Sequence, residues 1–232
     1  GILEDGSAVQ SKFKTWLDRL ATFAGELKDD QGKPIPVIFR PFHEHTQTWS
    51  WWGKSCTTEA EFIGLWKFTV NYLRDTKGIH QFVYAISPQM DSVKREEDFL
   101  FRWPGDEYVD FIGMDCYHGR YFTFSSNLKT ISELSKKKKK PCGVTETGVE
   151  GFTDKDYWSK QILTPATGRK VSMIVMWRNK FVGGNESDMH YFSVFKGHAS
   201  EADFIKFHAN EFTFFSSDLP DMYQMPENVE VN

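Results

Sequence analysis

Apolar residues recur at Phe13, Trp16, Leu17, Leu20, Phe23 and Ala24, the three-to-four spacing of one helical face. The same period returns at Phe62, Leu65, Trp66, Thr69, Val70 and Leu73, which predicts a second helix over 58–73. Further helices are expected over 128–139, from Tyr157 through Leu163, and within 202–215. Between them lie short runs that are apolar nearly throughout: 34–39, 81–87, 109–116, 142–145 and 171–177. Continuous rather than alternating apolar runs predict strands of a sheet covered by helices. Residues 99–108, with the turn Trp103-Pro104-Gly105-Asp106, read as irregular and Trp103 as structural. Strand and helix alternate, the order expected of βα units around a parallel sheet. No internal repeat or linker divides the chain.

Polar residues gather at the carboxyl end of each predicted strand. Arg40, His43 and Glu44 follow the first, Ser87 to Gln89 the second, and Asp115 to His118 the third. Glu146 follows the fourth and Trp177 to Asn179 the fifth. In a β/α barrel that end carries the active site. Composition sharpens this picture. Aromatic residues make up 16% of the 232, with 21 Phe and 8 Trp, enough to build a core and still line a groove. A net charge of -4 leaves no basic excess for phosphates, so a nucleic-acid partner is not expected. The run Lys136 to Lys140 reads as a solvated helix end. No apolar run approaches the roughly 18 residues that span a bilayer. The chain opens Gly1-Ile2-Leu3 without a Met, which reads as a trimmed or processed product. Cys56, Cys116 and Cys142 lack zinc spacing, and strand alternation puts Cys116 outward and Cys142 inward, so no disulfide between those two is expected.

Glu44 and Glu146 stand out because each ends a strand. Two carboxyls facing each other across a barrel mouth are the equipment of a glycosidase, one as acid/base and one as nucleophile. They need different environments, so that one keeps its proton while the other is ionised. Glu44 lies beside Trp49, Trp51 and Trp52, a poorly hydrated setting that suits the acid. A nucleophile needs a guanidinium and a hydroxyl nearby, and Arg40 and Tyr117 are the candidates for Glu146. The plainer alternatives are a buried Arg40–Asp115 ion pair and a core Tyr117. Trp51 and Trp52 are open to packing or outer-subsite roles, and the scattered His80, His190, His198 and His208 read as surface or packing residues.

Arg40-Pro41-Phe42-His43-Glu44 with Trp49 and Trp51-Trp52-Gly53 resembles glycoside hydrolase family 26. So do Gly113-Met114-Asp115-Cys116-Tyr117, Thr145-Glu146-Thr147-Gly148 and Trp177-Arg178-Asn179, in the right order. The resemblance implies a (β/α)8 TIM barrel and a retaining endo-β-1,4-mannanase. It implies Glu44 as acid/base, Glu146 as nucleophile, and Arg40 and Tyr117 as the residues that orient it. His43, Trp49, Tyr117 and Trp177 would bind substrate, a β-mannan polysaccharide or manno-oligosaccharide. No metal or other cofactor is implied. A secreted, cell-surface or periplasmic location is expected from the polymeric substrate. A β-1,3-xylanase, a mixed-linkage β-glucanase and a non-catalytic carbohydrate-binding protein stay open; an esterase or amidase lacks its Gly-X-Ser-X-Gly elbow.

The chain departs from the family in its strand count. Five strands are expected where the barrel needs eight, and residues 1–33 offer no candidate for the first three. The expectation is that residues 1–232 carry strands four to eight, the C-terminal portion of a catalytic barrel. The missing N-terminal part would then be a partner or a piece of the same protein.

Overall fold

A computed structural model describes residues 1–117, 121–180 and 190–219. His118, read from the sequence at the third strand end, lies outside the described residues. Five strands, β1 (Val37–Phe39), β2 (Phe82–Ile86), β3 (Phe111–Cys116), β4 (Cys142–Thr147) and β5 (Ile174–Met176), pair in sequence order. Every pairing is parallel. With its helices this sheet forms part of a (β/α)8 barrel, curled so that one face is concave.

Helices pack on the other face. α1 (Ala8–Glu26) is capped by the Ser7 hydroxyl, which accepts from Gln10 N–H. α2 (Glu59–Val70) opens on a capping box in which Thr58 and Glu61 satisfy each other's backbone N–H groups. It runs on as a π-helical turn over Asn71–Thr76. Phe13, Leu17, Phe62, Trp66 and Val70 bury against Phe82, Tyr84 and Ile86 of β2. A short α3 (Glu96–Phe99) ends where the stretch expected to be irregular begins, and a 3-10 turn (Asp106–Tyr108) closes that stretch. Trp103 there is structural, its indole N–H donating to Asp106 at 2.8 Å. α4 (Tyr121–Lys138) starts seven residues before the predicted helix. Its Phe124, Leu128 and Ile131 pack on Ile112, Met114 and Val144. A π-helical turn (Trp158–Leu163), α5 (Thr164–Ala166) and α6 (Glu201–His208) close this second cluster.

The predicted strands exist, but the two at the sheet's ends are shorter than their apolar runs. Only Val37–Phe39 and Ile174–Met176 pair. One placement is reversed. Cys142 faces outward with Ile131 and Leu134, not inward, and its thiol donates to the Lys170 carbonyl at 3.4 Å. The cause is a register shift in the β3–β4 ladder between Met114 and Asp115. The extra residue lets Thr145 and Glu146 both face the concave side, so parity counted back from Glu146 fails. No disulfide joins Cys142 to Cys116.

Candidate active site

The carboxyl ends of β1 to β4 deliver their polar residues to one place. Arg40, directly after β1, is the hub. Its Nη1 donates to Asp115 Oδ2 at 2.8 Å and to Ser87 Oγ at 3.0 Å, while its Nη2 donates to Glu146 Oε1. Both sequence alternatives for Arg40 therefore hold at once, since one guanidinium bridges two carboxylates. Tyr117 donates from its hydroxyl to the other Glu146 oxygen at 2.6 Å. Burial and the Glu146 carboxylate push the Tyr117 hydroxyl's pKa upward, so it stays a donor. Glu146 is thus held at both oxygens by residues from two other strand ends.

Glu44 is placed by an unusual backbone. Phe42 and Glu44 both adopt left-handed φ, 53° and 52°. That conformation is rare for a bulky residue and is sustained only by strong surroundings. Phe42 has them, with its ring 6.1–6.5 Å from Trp51, Trp52, Phe62 and Trp66. Glu44 N–H donates to the Ser87 carbonyl at 2.8 Å, tying the turn to the end of β2. The Glu44 carboxylate accepts from Trp49 Nε1 at 2.7 Å. Burial raises the Glu44 pKa, and the Glu146 and Asp91 charges add to this; Trp49 and Arg40 act the other way.

One oxygen from each of Glu44, Asp115 and Glu146 lies within 4.8 Å of the others. Such a trio could ligate a cation, but Arg40 already sits on two of its members. Three carboxyls around one guanidinium carry excess negative charge, which opposes the ionisation of all three at once. Asp115 shares in this: burial pushes it up to about 8 although Arg40 and Thr145 favour its ionised form. Thr145 Oγ1 donates to Asp115 Oδ1 at 2.6 Å.

The remaining predicted residues frame the carboxyls. His43 lies 5.3 Å from Trp49 and 5.9 Å from Trp52, ring to ring. Burial and Arg40 lower its pKa, which keeps the imidazole neutral at pH 7. Trp49 is 58% exposed, a free aromatic face beside Glu44. Trp52 donates to the His43 carbonyl at 2.8 Å and serves packing, whereas Trp51 is largely exposed. Across the site Trp177 sits edge-on to Tyr117 at 6.4 Å. All seven residues expected from the sequence therefore converge.

Sequence reasoning missed several others. Asp91 lies in no motif, while the sequence marks Ser87 only as a strand-end residue and Thr145 only within the Thr145-Glu146-Thr147-Gly148 motif, neither with a role. Asp115 stands at the third strand end and in the Gly113–Tyr117 motif, but its only role in the sequence reading is as an alternative partner for Arg40. Phe192 stands 5.8 Å from Tyr117, and Asn179 fixes it by accepting from its backbone N–H at 3.0 Å. His45, one residue past Glu44, is a core residue stacked 4.6 Å from Phe62, and burial lowers its pKa to about 4. An apolar cavity of about 550 Å³ lies between β5, α6 and Phe212–Phe215, apart from the carboxyls.

The profile of glycosyl hydrolase family 26 matches residues 2–177, a stretch that contains Arg40, Glu44, Tyr117, Glu146 and Trp177. The chain belongs to glycosyl hydrolase family 26. It is 32% identical over 222 residues to a mannan endo-1,4-beta-mannosidase of Bifidobacterium adolescentis, covering 87% of this chain and 22% of that protein. A mannan endo-1,4-beta-mannosidase of Bacillus subtilis is 30% identical over 151 residues, covering 62% of this chain and 38% of that one. In structure, a family 26 β-mannanase of Bacteroides ovatus matches with a TM-score of 0.87 and 33% identity, over 98% of this chain and 66% of that one. A modular endo-β-1,4-mannanase of Cellulomonas fimi matches with a TM-score of 0.83 and 29% identity, over 94% and 50%. This family 26 chain therefore spans only part of the length of these relatives.

Proposed function

We propose that this chain carries the catalytic carboxyls of a retaining glycoside hydrolase that cleaves internal β-1,4-mannosidic bonds. One observation carries the reading: Glu44 and Glu146 approach within 4.8 Å while held by unlike partners. Retaining enzymes need carboxyls about 5–5.5 Å apart, whereas inverting ones need roughly 6.5–9.5 Å to admit a water. Glu44, raised in pKa by burial, protonates the leaving glycosidic oxygen. Glu146, oriented by Arg40 and Tyr117, attacks the anomeric carbon and forms a glycosyl-enzyme. Glu44, now a base, takes a proton from the water that releases the sugar. Trp49 and Trp177 offer aromatic faces for sugar rings, and His43 a neutral imidazole for a substrate hydroxyl.

The names of the relatives support mannan as the substrate. A location outside the cell suits a polymer; among the described residues no helix is long and apolar enough to cross a membrane. The test offers the protein β-1,4-mannan, β-1,3-xylan and mixed-linkage β-glucan side by side, and follows the first-formed anomer by NMR. Hydrolysis of mannan with retention is expected, with Glu146→Ala inactive. Activity on a non-mannan glycan alone, or an inverted first product, overturns the reading.

A further inference from the structure

Asp91 belongs to no family-like motif and to no strand, yet it touches the supports of both carboxyls. It follows β2 by five residues, on a segment that continues the sheet: Gln89 bridges to Asp115, and Met90 N–H donates to the Asp115 carbonyl at 2.7 Å. Asp91 Oδ1 accepts from the backbone N–H of Tyr117 at 2.8 Å. Its Oδ2 accepts from Gln89 Nε2. Gln89 is tied in turn to the Glu44 turn, where its N–H donates to Thr46 Oγ1 at 2.9 Å and its carbonyl accepts from that hydroxyl at 3.2 Å.

We propose that Asp91 is a positioning residue that couples the two halves of the site: it seats Tyr117, which holds Glu146, and sets an extra negative charge toward Glu44. The inference rests on the roles proposed above for Glu44 and Glu146. Tyr117 directly follows β3 and its N–H donates to Asp91, so Asp91 seats the backbone that carries the Tyr117 ring. The charged and titratable groups around Glu44 come from every neighbouring strand end. Arg40 and His43 lie on its own segment, Asp91 after β2, Asp115 on β3 and Glu146 on β4. Among these Asp91 has an exposed surface, although burial raises its own pKa against the Tyr117 and Gln89 hydrogen bonds, and among the described residues it makes no salt bridge. Its field raises the Glu44 pKa in the same sense as that of Glu146. A general acid must be protonated to work, so Asp91 extends the acid's working range toward higher pH.

Two substitutions separate the charge from the hydrogen bond. Asp91→Asn keeps an oxygen for Tyr117 N–H and loses the charge, with Gln89 turning its amide to present its own oxygen. Asp91→Ala loses both. The Glu44 titration, followed by NMR on carboxyl-labelled protein without substrate, is expected to move to lower pH in both variants. In kinetics on a soluble manno-oligosaccharide, the basic limb of kcat/KM moves the same way. Plateau kcat stays within about twofold for Asp91→Asn and falls roughly tenfold for Asp91→Ala, part of the ~10²-fold that a 1 Å misplacement can cost. In a Tyr117→Phe background the Asp91→Ala loss shrinks toward none, because the hydroxyl it positions is gone. A Glu44 titration identical in wild type and Asp91→Asn overturns the proposal, as does a full tenfold loss that persists in Tyr117→Phe. A wild-type protein without glycosidase activity would defeat the functional reading instead, and the NMR titration would still decide the role of Asp91.

Discussion

At the scale of single residues, the site works by giving two chemically identical carboxyls opposite neighbours. Glu146 receives a guanidinium and a phenol. Glu44 receives burial, a left-handed backbone and one indole N–H. That indole bond favours the ionised form of Glu44 and so opposes burial. Trp49→Phe keeps an aromatic cover and deletes the donor. The Glu44 pKa then rises further, and the basic limb of kcat/KM moves to higher pH, opposite to the shift expected for Asp91→Asn. A hydrogen bond to a charged group contributes about 1.5–3 kcal/mol, so kcat/KM at the optimum falls by roughly 10–100-fold. A limb that stays in place would mean that the Trp49 bond orients Glu44 without tuning it.

At the scale of elements, the site depends on how closely the central strands approach. A Cβ on Gly113 would stand 2.8 Å from both Thr145 Cγ2 and Thr145 Oγ1, and 3.0 Å from Ser87 Cβ. Thr145 holds Asp115, and Ser87 accepts from Arg40. Gly113→Ala therefore displaces two supports of the Arg40 hub. We expect a loss of about 1–3 kcal/mol, the cost of overpacking a filled core, together with a drop in kcat and little change in KM. Thermal unfolding and initial rates check the two parts separately, and an unchanged kcat would show that the hub tolerates the shift. The same strands show what the chain made legible. Alternation of apolar runs with helical periods was enough to place five parallel strands, because most of these strands are apolar nearly throughout, as in Phe82–Ile86 and Ile174–Met176. Arg40 and Tyr117 were legible because each directly follows such a run, and Glu44 and Glu146 because each lies close to the carboxyl end of one. Thr145 and Cys142 were not, since the β4 bulge reverses parity and no residue type announces it. Asp91 was hidden as well, because its partner lies 26 residues away and is reached only through sheet register. The first two turns of α4 escaped notice although Phe124 stands at helical spacing from Leu128 and Ile131, since the polar run Ser125 to Asn127 interrupts the pattern.

At the scale of the whole molecule, the central and end strands behave differently. All six residues of β3 and of β4 are buried. On β1 and β5 the concave-facing Ile38 and Val175 are 44% and 41% exposed, although their neighbours pack against the helices. Central strands are covered on both faces; the end strands are covered on one. The exposed edges of a parallel sheet, and apolar residues on an uncovered face, favour association with other chains. α1 adds Val9, Trp16 and Phe23 to this exposed apolar surface. The 232-residue chain in isolation is therefore expected to associate as its concentration rises, measured by light scattering after gel filtration. The double variant Ile38→Thr with Val175→Thr should reduce that association while changing stability by no more than about 0.5 kcal/mol per site, as for other exposed positions. In a protein where further barrel strands cover this concave face, the same two changes would instead act on core residues. They would then cost about 1–3 kcal/mol each through buried hydroxyls. Comparing the variant's unfolding in this chain and in a longer family 26 chain distinguishes the two environments. A large loss already in the isolated chain would show that its concave face is covered without any added strand.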